Sequence, residues 1–392
     1  MPDGAAPGNG RRRRRRDTVD TVTQQRFPSS VYADRLARAA SAAADSGLHA
    51  LLVGPGPDLD YLTGSRASTF ERLLALVVPA QGDPWVMVPR LELAALRASA
   101  VGELGVATRD WVDGDDPYAL ALQGVPAGSA LAVSDAVPAL HLLPLADRNG
   151  ALPVLATEVL RTLRMSKDDA EVEALRRAGA AIDRVHARVG EWLRPGRTER
   201  AVADDITAAI IAEGHTRAEF VIVGSGPNGA DPHHEVSDRV IEAGDIVVVD
   251  IGGPVDPGYF SDSTRTYSVG APTSDIAERC AVLERAQQAA VEAVRPGIPA
   301  EAVDAAARQV LVDAGLGEWF IHRTGHGIGL SVHEEPYIVG GNDTVLSEGM
   351  AFSIEPGIYF PGQWGARIED IVIVTADGCE AVNKRPHGLT AV

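Results

Sequence analysis

Between residues 31 and 160 apolar residues gather in short unbroken runs: ALLVG, LLALVVP, PWVMVP and ALAVS. Runs of this length, bounded by Gly, Pro and polar residues, predict strands buried on both faces. Helix-like stretches alternate with them, Tyr32 to Ser46 and Leu91 to Ala100, so this part predicts an α/β layer structure. After MSKDD the pattern changes to a long amphipathic helix running to about Leu193 and stopped by Pro195-Gly196. Ser166 is its expected N-cap, with Glu171 and Glu173 in the first turns. The chain therefore divides near residue 165, into a segment 1–26, an α/β domain 27–164 and a C-terminal domain 165–392.

The C-terminal domain repeats itself. Leu193, Arg194, Pro195 and Gly196 recur as Val294, Arg295, Pro296 and Gly297, and Ala201, Val202 and Gly214 recur as Ala302, Val303 and Gly315, all at a shift of 101. Farther on the shift becomes 105, aligning Val240, Ile241, Gly244, Asp250 and Gly252 with Val345, Leu346, Gly349, Glu355 and Gly357. Asp262 and Glu369 follow at a shift of 107, each after a Gly-containing turn that predicts a hairpin. Two copies predict a duplicated domain with approximate two-fold symmetry; solenoids need three or more units.

The repeat places carboxylates at equivalent positions, and those positions are unusual. Asp250 ends the strand-like run IVVVD, Glu355 ends FSIE, and Glu369 interrupts ARIEDIVIV. An ionised carboxylate in such a run is an uncompensated buried charge unless a cation sits beside it. With Asp262 and His326 the set is four carboxylates and one imidazole. These hard ligands suit Mn²⁺, with Co²⁺ or Zn²⁺ as substitutes, and so many anionic groups point to two divalent ions. Gly325, Gly327 and Gly329 around His326 allow close backbone approach.

Composition narrows the partners. With 36 basic and 54 acidic residues the net charge is −18, which disfavours nucleic acid and anionic membranes. Six arginines, Arg11 to Arg16, are the exception, inside a Gly-, Pro- and polar-rich segment expected to be disordered. No apolar stretch follows them, so neither a signal peptide nor a membrane span is expected. Two cysteines, Cys280 and Cys379, fit a reducing cytoplasm. Two motifs fail on context and a third is absent. Gly224, Gly226 and Gly229 spell GxGxxG, but Pro232 stands where a helix must open. His333, Glu334 and Glu335 approach HExxH, but Pro336 breaks that helix, and no GxSxG elbow is present.

The segments VVVDIGG with GYFSDSTRTY, RTGHGIGLSVHEEP, FSIEPGIY and ARIEDIVI resemble, in order and approximate spacing, the pita-bread metallopeptidases: methionine aminopeptidase, prolidase and aminopeptidase P, with creatinase as a metal-free relative. The resemblance implies a pita-bread catalytic domain behind a creatinase/prolidase-type N-terminal α/β domain. Asp250 to Asp262 is one residue longer than the family's usual spacing, and a longer turn at PVDPG is expected to absorb it. By the resemblance Asp250 would chelate one metal, His326 and Glu355 the other, and Asp262 and Glu369 would bridge them. Glu355 would also move the proton of the attacking water. His233 and His333 would stabilise the oxyanion, one of His233 and His234 facing the site. His322, Tyr359 and Arg367 match substrate-pocket residues of proline-specific members, Tyr359 as a donor to the intermediate and Arg367 to orient ligands or bind a carboxylate. Arg66 and Arg72 are further candidates for carboxylate or partner contacts. The implied function is an Xaa-Pro dipeptidase acting on small peptides with proline in second position, as a cytoplasmic homodimer. Aminopeptidase P, a creatinase-like amidinohydrolase and a non-catalytic binding protein on the same fold stay open as alternatives.

Overall fold

The computed structural model describes residues 26–69 and 71–392. The arginine run and the disorder expected for the N-terminal segment lie outside these residues, apart from Arg26, which pairs with Glu103. The first part is a six-stranded sheet of β1 (Ala50–Val53), β2 (Ala75–Pro79), β3 (Trp85–Pro89), β4 (Ala107–Trp111), β5 (Leu131–Val133) and β6 (Val154–Leu155). Its order is β4-β3-β2-β1-β5-β6, with β2 antiparallel to both neighbours. Every residue of β1, β2 and β3 is buried, which is why these strands read as unbroken apolar runs. Alternate side chains serve the two faces. Leu51 and Val53 pack with Leu36 and Ala39 of the helix Ser29–Asp45, whereas Leu52 and Val77 meet Leu145 of the helix Ala139–Asn149. Each such leucine contributes about 1.5–3 kcal/mol by leaving water. The helix expected over Leu91 to Ala100 is shorter, Leu93–Arg97, with 3₁₀ turns before and after it.

Asp168, not Ser166, caps the long helix, which spans Asp169–His186. Asp168 Oδ1 accepts from the amides of Ala170 and Glu171, and Glu171 Oε2 accepts from the Asp168 amide. This reciprocal box places the start two residues later than a hydroxyl cap would. The helix also stops early, a separate short helix Val189–Trp192 completing the run to Leu193. Buried Arg35 ties the two parts together: its guanidinium donates to the Tyr61 carbonyl and to Asp168 and lies 3.4 Å from Glu171.

The duplication is visible residue by residue. Helices Glu199–Ala212 and Ala300–Asp313 have equal length at a shift of 101. Gly196 and Gly297 before them share φ of 87° and 88°, a left-handed turn that explains the repeated glycine. The bridge Thr198–Val240 in one half matches Pro299–Val345 in the other. In the first half β7 (Phe220–Ser225), β8 (Ile246–Val255) and β9 (Tyr259–Ser268) form a meander extended by β17 (Thr390–Ala391). In the second, β10 (Gly325–Gly327), β11 (Glu334–Ile338), β12 (Ala351–Ile354), β15 (Asp370–Val374) and β16 (Cys379–Ala381) form a sheet of order β11-β10-β12-β15-β16. Between β12 and β15 lies the hairpin of β13 (Gly357–Phe360) and β14 (Trp364–Arg367). The two sheets touch where Thr264 bridges Glu369. Among the described residues no helix is long and apolar enough to cross a membrane.

Candidate metal centre

The junction of the two halves holds a cavity of about 860 Å³ lined by all five carboxylate and imidazole candidates. Asp250 sits on β8 and Asp262 on β9. Their strands pair without a slip, Asp250 opposite Thr264 and Gly252 opposite Asp262, so both acids point to one face. The extra residue is taken up in the turn at Asp256 to Gly258, between the paired strands. His326 comes from β10, Glu355 from the end of β12, and Glu369 from between β14 and β15.

His326 Nε2 lies 3.3 Å from Glu355 Oε1 and 3.6 Å from Asp262 Oδ2. Burial, reinforced by His333, lowers its pKa to about 3, so the ring is neutral. Nδ1 donates to the Gly327 carbonyl at 3.1 Å, leaving the Nε2 lone pair facing the carboxylates. One ligand atom each from Asp262, His326 and Glu369 lies within 4.8 Å of the others. Asp250 Oδ1 is buried and accepts no hydrogen bond.

The charges tell the same story. Burial, then the charges of Asp250 and Glu355, hold Asp262 well above the usual carboxylate range. Burial and the charge of Asp262 do the same to Glu369. Glu355 is pushed up to about 7, chiefly by burial, against the pull of Arg367. One guanidinium does not neutralise four carboxylates in a dry pocket. A bare imidazole lone pair, an orphaned carboxylate oxygen and acids that resist ionisation are the environment a divalent cation relieves, and the donor set fits one.

Local structure holds these ligands. Thr264 Oγ1 donates to Glu369 Oε2 at 2.7 Å, and Ser353 Oγ donates to Glu355 Oε1 at 3.1 Å while accepting the His326 amide at 3.0 Å. Asp304 accepts the amide and hydroxyl of Thr324, and Arg308, paired with it, donates to the carbonyls of Phe320 and His322. The glycines beside His326 serve strand packing: a Cβ on Gly325 would lie 1.8 Å from the Ser353 carbonyl, and one on Gly327 2.3 Å from that of Glu335.

His233, His322, His333 and Arg367 also line the cavity. The His333 ring stands edge-on to His326 at 4.1 Å. Of the adjacent pair, His233 faces the cavity and His234 turns away to Glu199 at 2.8 Å. Arg367 is fully engaged: it donates to Asp250 Oδ2 at 2.6 Å, Thr264 Oγ1, the Pro232 carbonyl and the Tyr359 hydroxyl at 2.8 Å. Burial lowers the His322 pKa to about 4, and its Nδ1 donates to the Arg323 carbonyl. Nε2 therefore accepts, and the Tyr359 hydroxyl, 2.9 Å away, supplies the proton. Tyr359 does not line the cavity, and its one hydrogen is committed to His322 rather than to an intermediate. Arg66 pairs with Asp60 and Asp256, Arg72 with Asp113, and neither lines the cavity.

Three polar residues in or behind the site escaped sequence reading. Arg323 lines the cavity with its guanidinium 4.5 Å over the Tyr337 ring and no carboxylate partner among the described residues. Asp304 and Glu199 are buried acids on helices; Asp304 carried a faint signal, an acid beside the apolar stripe Ala300, Val303 and Ala307. The decoys stay inert. Glu334–Ile338 is a strand, and Gly226–Ala230 is a single 3₁₀ turn with no helix behind it.

Residues 173–376 match metallopeptidase family M24, and residues 35–166 match the creatinase/prolidase N-terminal domain. The chain is 67% identical over 371 residues to the probable dipeptidase PepE of Mycobacterium tuberculosis, covering 94% of this chain and 98% of that one. Among solved structures, dipeptidase PepE from Mycobacterium ulcerans superposes with a TM-score of 0.91 at 66% identity, over 94% of this chain and all (100%) of the other. Recombinant prolidase from Thermococcus sibiricus follows with a TM-score of 0.87 at 36% identity, over 94% and 100%. With its duplicated catalytic half, its carboxylate-rich centre and these matches, the chain belongs to metallopeptidase family M24.

Proposed function

We propose that the protein is a dinuclear-metal exopeptidase that hydrolyses Xaa-Pro bonds of small peptides, an Xaa-Pro dipeptidase. The observation that carries the reading is the five-ligand centre opening on a cavity with His233 and His333 at its wall. Relatives named as dipeptidases and Xaa-Pro dipeptidases support the substrate class. Asp250 would hold one ion, His326 and Glu355 the other, with Asp262 and Glu369 shared between them. Two Mn²⁺ ions, or Co²⁺ or Zn²⁺ in their place, supply Lewis acidity that makes a water nucleophilic near neutral pH.

The chain's own residues do the rest. Glu355 takes the proton of the attacking water and returns it to the proline nitrogen. An amide nitrogen leaves as an amine only once it is protonated, and the returned proton makes proline's secondary amine the leaving group. His333, whose pKa burial and Arg323 lower, is a neutral N–H donor toward the oxyanion, and His233 is its counterpart across the cavity. Arg367, at the cavity wall, fixes Asp250, and Tyr359, behind the wall, fixes His322. Phe220, Ile222 and Val332 give the cavity an apolar wall that excludes water from the proline ring. We read residues 27–164 as the supporting unit and 165–392 as the catalytic one, in a cytoplasmic homodimer.

The test is hydrolysis of Ala-Pro and Ala-Pro-Ala by metal-stripped protein with and without Mn²⁺. Mn²⁺-dependent cleavage of Ala-Pro is expected. Preference for the tripeptide would make the enzyme an aminopeptidase of the same family, and cleavage of neither by the metal-loaded protein would overturn the reading.

A further inference from the structure

Glu199 is the most heavily bonded side chain near the cavity that touches neither the ligand set nor the cavity wall. It lies in the first turn of the helix Glu199–Ala212, fully buried at 0% exposure. Its Oε1 accepts from the Ser225 amide at 2.8 Å, the Ser225 hydroxyl at 2.7 Å and Asn228 Nδ2 at 3.0 Å. Its Oε2 accepts from His234 Nε2 at 2.8 Å, the Ser237 hydroxyl at 2.6 Å and the Ser237 amide at 3.2 Å. These donors span the two ends and the middle of one loop, residues 225–237, which leaves the last residue of β7 and beyond it has a single 3₁₀ turn and no strand.

That loop carries His233. The His233 amide donates to Asp231 Oδ1, but its exposed imidazole makes no hydrogen bond among the described residues. The backbone that carries the ring is held by Glu199 on one side, through Ser225, Asn228, His234 and Ser237, with Arg200 at the Val236 carbonyl, and on the other side by Arg367 at the Pro232 carbonyl and by the close approach of Gly229 to Gly365. The second half uses the same device. Asp304, whose repeat equivalent is Ala203, one helical turn after Glu199, is buried and accepts the Thr324 amide and hydroxyl in the segment that carries His322 and His326.

We propose that Glu199 is the positioning residue of the Xaa-Pro reaction for His233: it folds loop 225–237 around a buried carboxylate and so aims His233 at the substrate carbonyl. The inference rests on the catalytic role given to His233 above. The charge is essential to it. Each carboxylate oxygen receives one backbone N–H, and unlike a hydroxyl an N–H cannot turn away. In Glu199→Gln, whichever way the amide lies, its NH₂ faces the amide of Ser225 or that of Ser237, and the loop must move.

The test is a double-mutant cycle of Glu199→Gln and His233→Ala, assayed on Ala-Pro with the Mn²⁺-loaded protein, alongside metal content and melting temperature. Glu199→Gln is expected to lower kcat at least tenfold with metal content unchanged. In the His233→Ala background the same substitution is expected to change kcat less than twofold. Glu199→Asp, which keeps both acceptors, is expected to recover part of the activity, and it takes the place of Gln in the cycle should the Gln variant not fold. An equal loss in both backgrounds, or a lower melting temperature with full activity, overturns the proposal. So does a crystal structure of Glu199→Gln with loop 225–237 unmoved, a result independent of turnover. Full activity of His233→Ala alone would instead sink the role of His233, whereas loss in His233→Ala with full activity in Glu199→Gln would sink only the positioning.

Discussion

Tyr359→Phe separates two ways in which a tyrosine can serve this centre. The ring is buried at 2% exposure, and burial pushes the phenol pKa up to about 12, so the hydroxyl keeps its proton. It donates to His322 Nε2 and accepts from Arg367 Nη1. The substitution deletes both bonds and leaves the volume almost unchanged. Arg367 Nη1 retains the Pro232 carbonyl at 3.3 Å, but His322 Nε2 is left without a donor. Two hydrogen bonds at about 1 kcal/mol each, with an orphaned acceptor at about 1–3 kcal/mol in place of one of them, give a loss of about 2–4 kcal/mol. At about 2–4 °C per kcal/mol for a unit the size of the catalytic half, the melting temperature should fall by about 4–16 °C. Because Tyr359 acts through His322 and Arg367, kcat/KM on Ala-Pro should drop about tenfold with metal content unchanged, the scale of a residue behind the ligands. Steady-state kinetics, metal analysis and calorimetry on the same preparation decide it. A fall in kcat of a hundredfold or more would put the hydroxyl on the reacting atoms, as a donor to the oxyanion. Unchanged kcat/KM would show that neither His322 nor Arg367 depends on it.

Glu369→Ala removes the carboxylate that faces Asp262 and accepts from Thr264, and it should abolish measurable turnover while lowering the number of bound ions; full activity in metal-defined buffer would sink the two-metal mechanism. Acid stability follows from two buried histidines that do not line the cavity, His186 and His215, which bond Ser263 and Ser261 on either side of Asp262. Burial lowers His186 to about 3 and His215 to about 4, against about 6.5 in an unfolded chain. Between those values the unfolded state binds more protons than the folded one. Stability is therefore complete above about pH 6.5 and declines as pH falls, by about 3 kcal/mol from His215 alone once pH 4 is passed. Urea midpoints from pH 8 to 4 should trace this slope, and the profile of His215→Gln should be flatter; parallel profiles would refute the assignment.

Strands β1, β2, β3 and β5 were legible because burial on both faces leaves an unbroken apolar run, a signature confined to a few neighbouring residues, whereas the largely exposed β4 and β6 leave no such run and were not read. The duplication was legible because aligning a chain with itself needs no coordinates, and the φ angles of Gly196 and Gly297 show why the repeat kept its glycines. Asp250, Glu355 and Glu369 stood out because charge in a strand-like run is anomalous whatever lies around it, and the repeat drew Asp262 in with them. Caps and breaks were less readable. Ser166 and Asp168 both suit an N-cap, and the choice fell to Asp168, whose reciprocal bonds with Glu171 are complemented by Arg35 from a distant helix. Glu199 reads as an ordinary first-turn acid, and nothing local marks His234 as the histidine that turns away.

Residue types and their spacing thus sufficed for the α/β class, the internal symmetry of the second half and the carboxylate-rich donor set at its junction, since each leaves a trace within a short window or a self-alignment. Folding settled which histidine faces the cavity, where the Tyr359 proton goes and what occupies the guanidinium of Arg367. Those are pairings across long gaps, 117 positions between Arg367 and Asp250, and a hydrogen bond depends on where two atoms meet rather than on either residue alone.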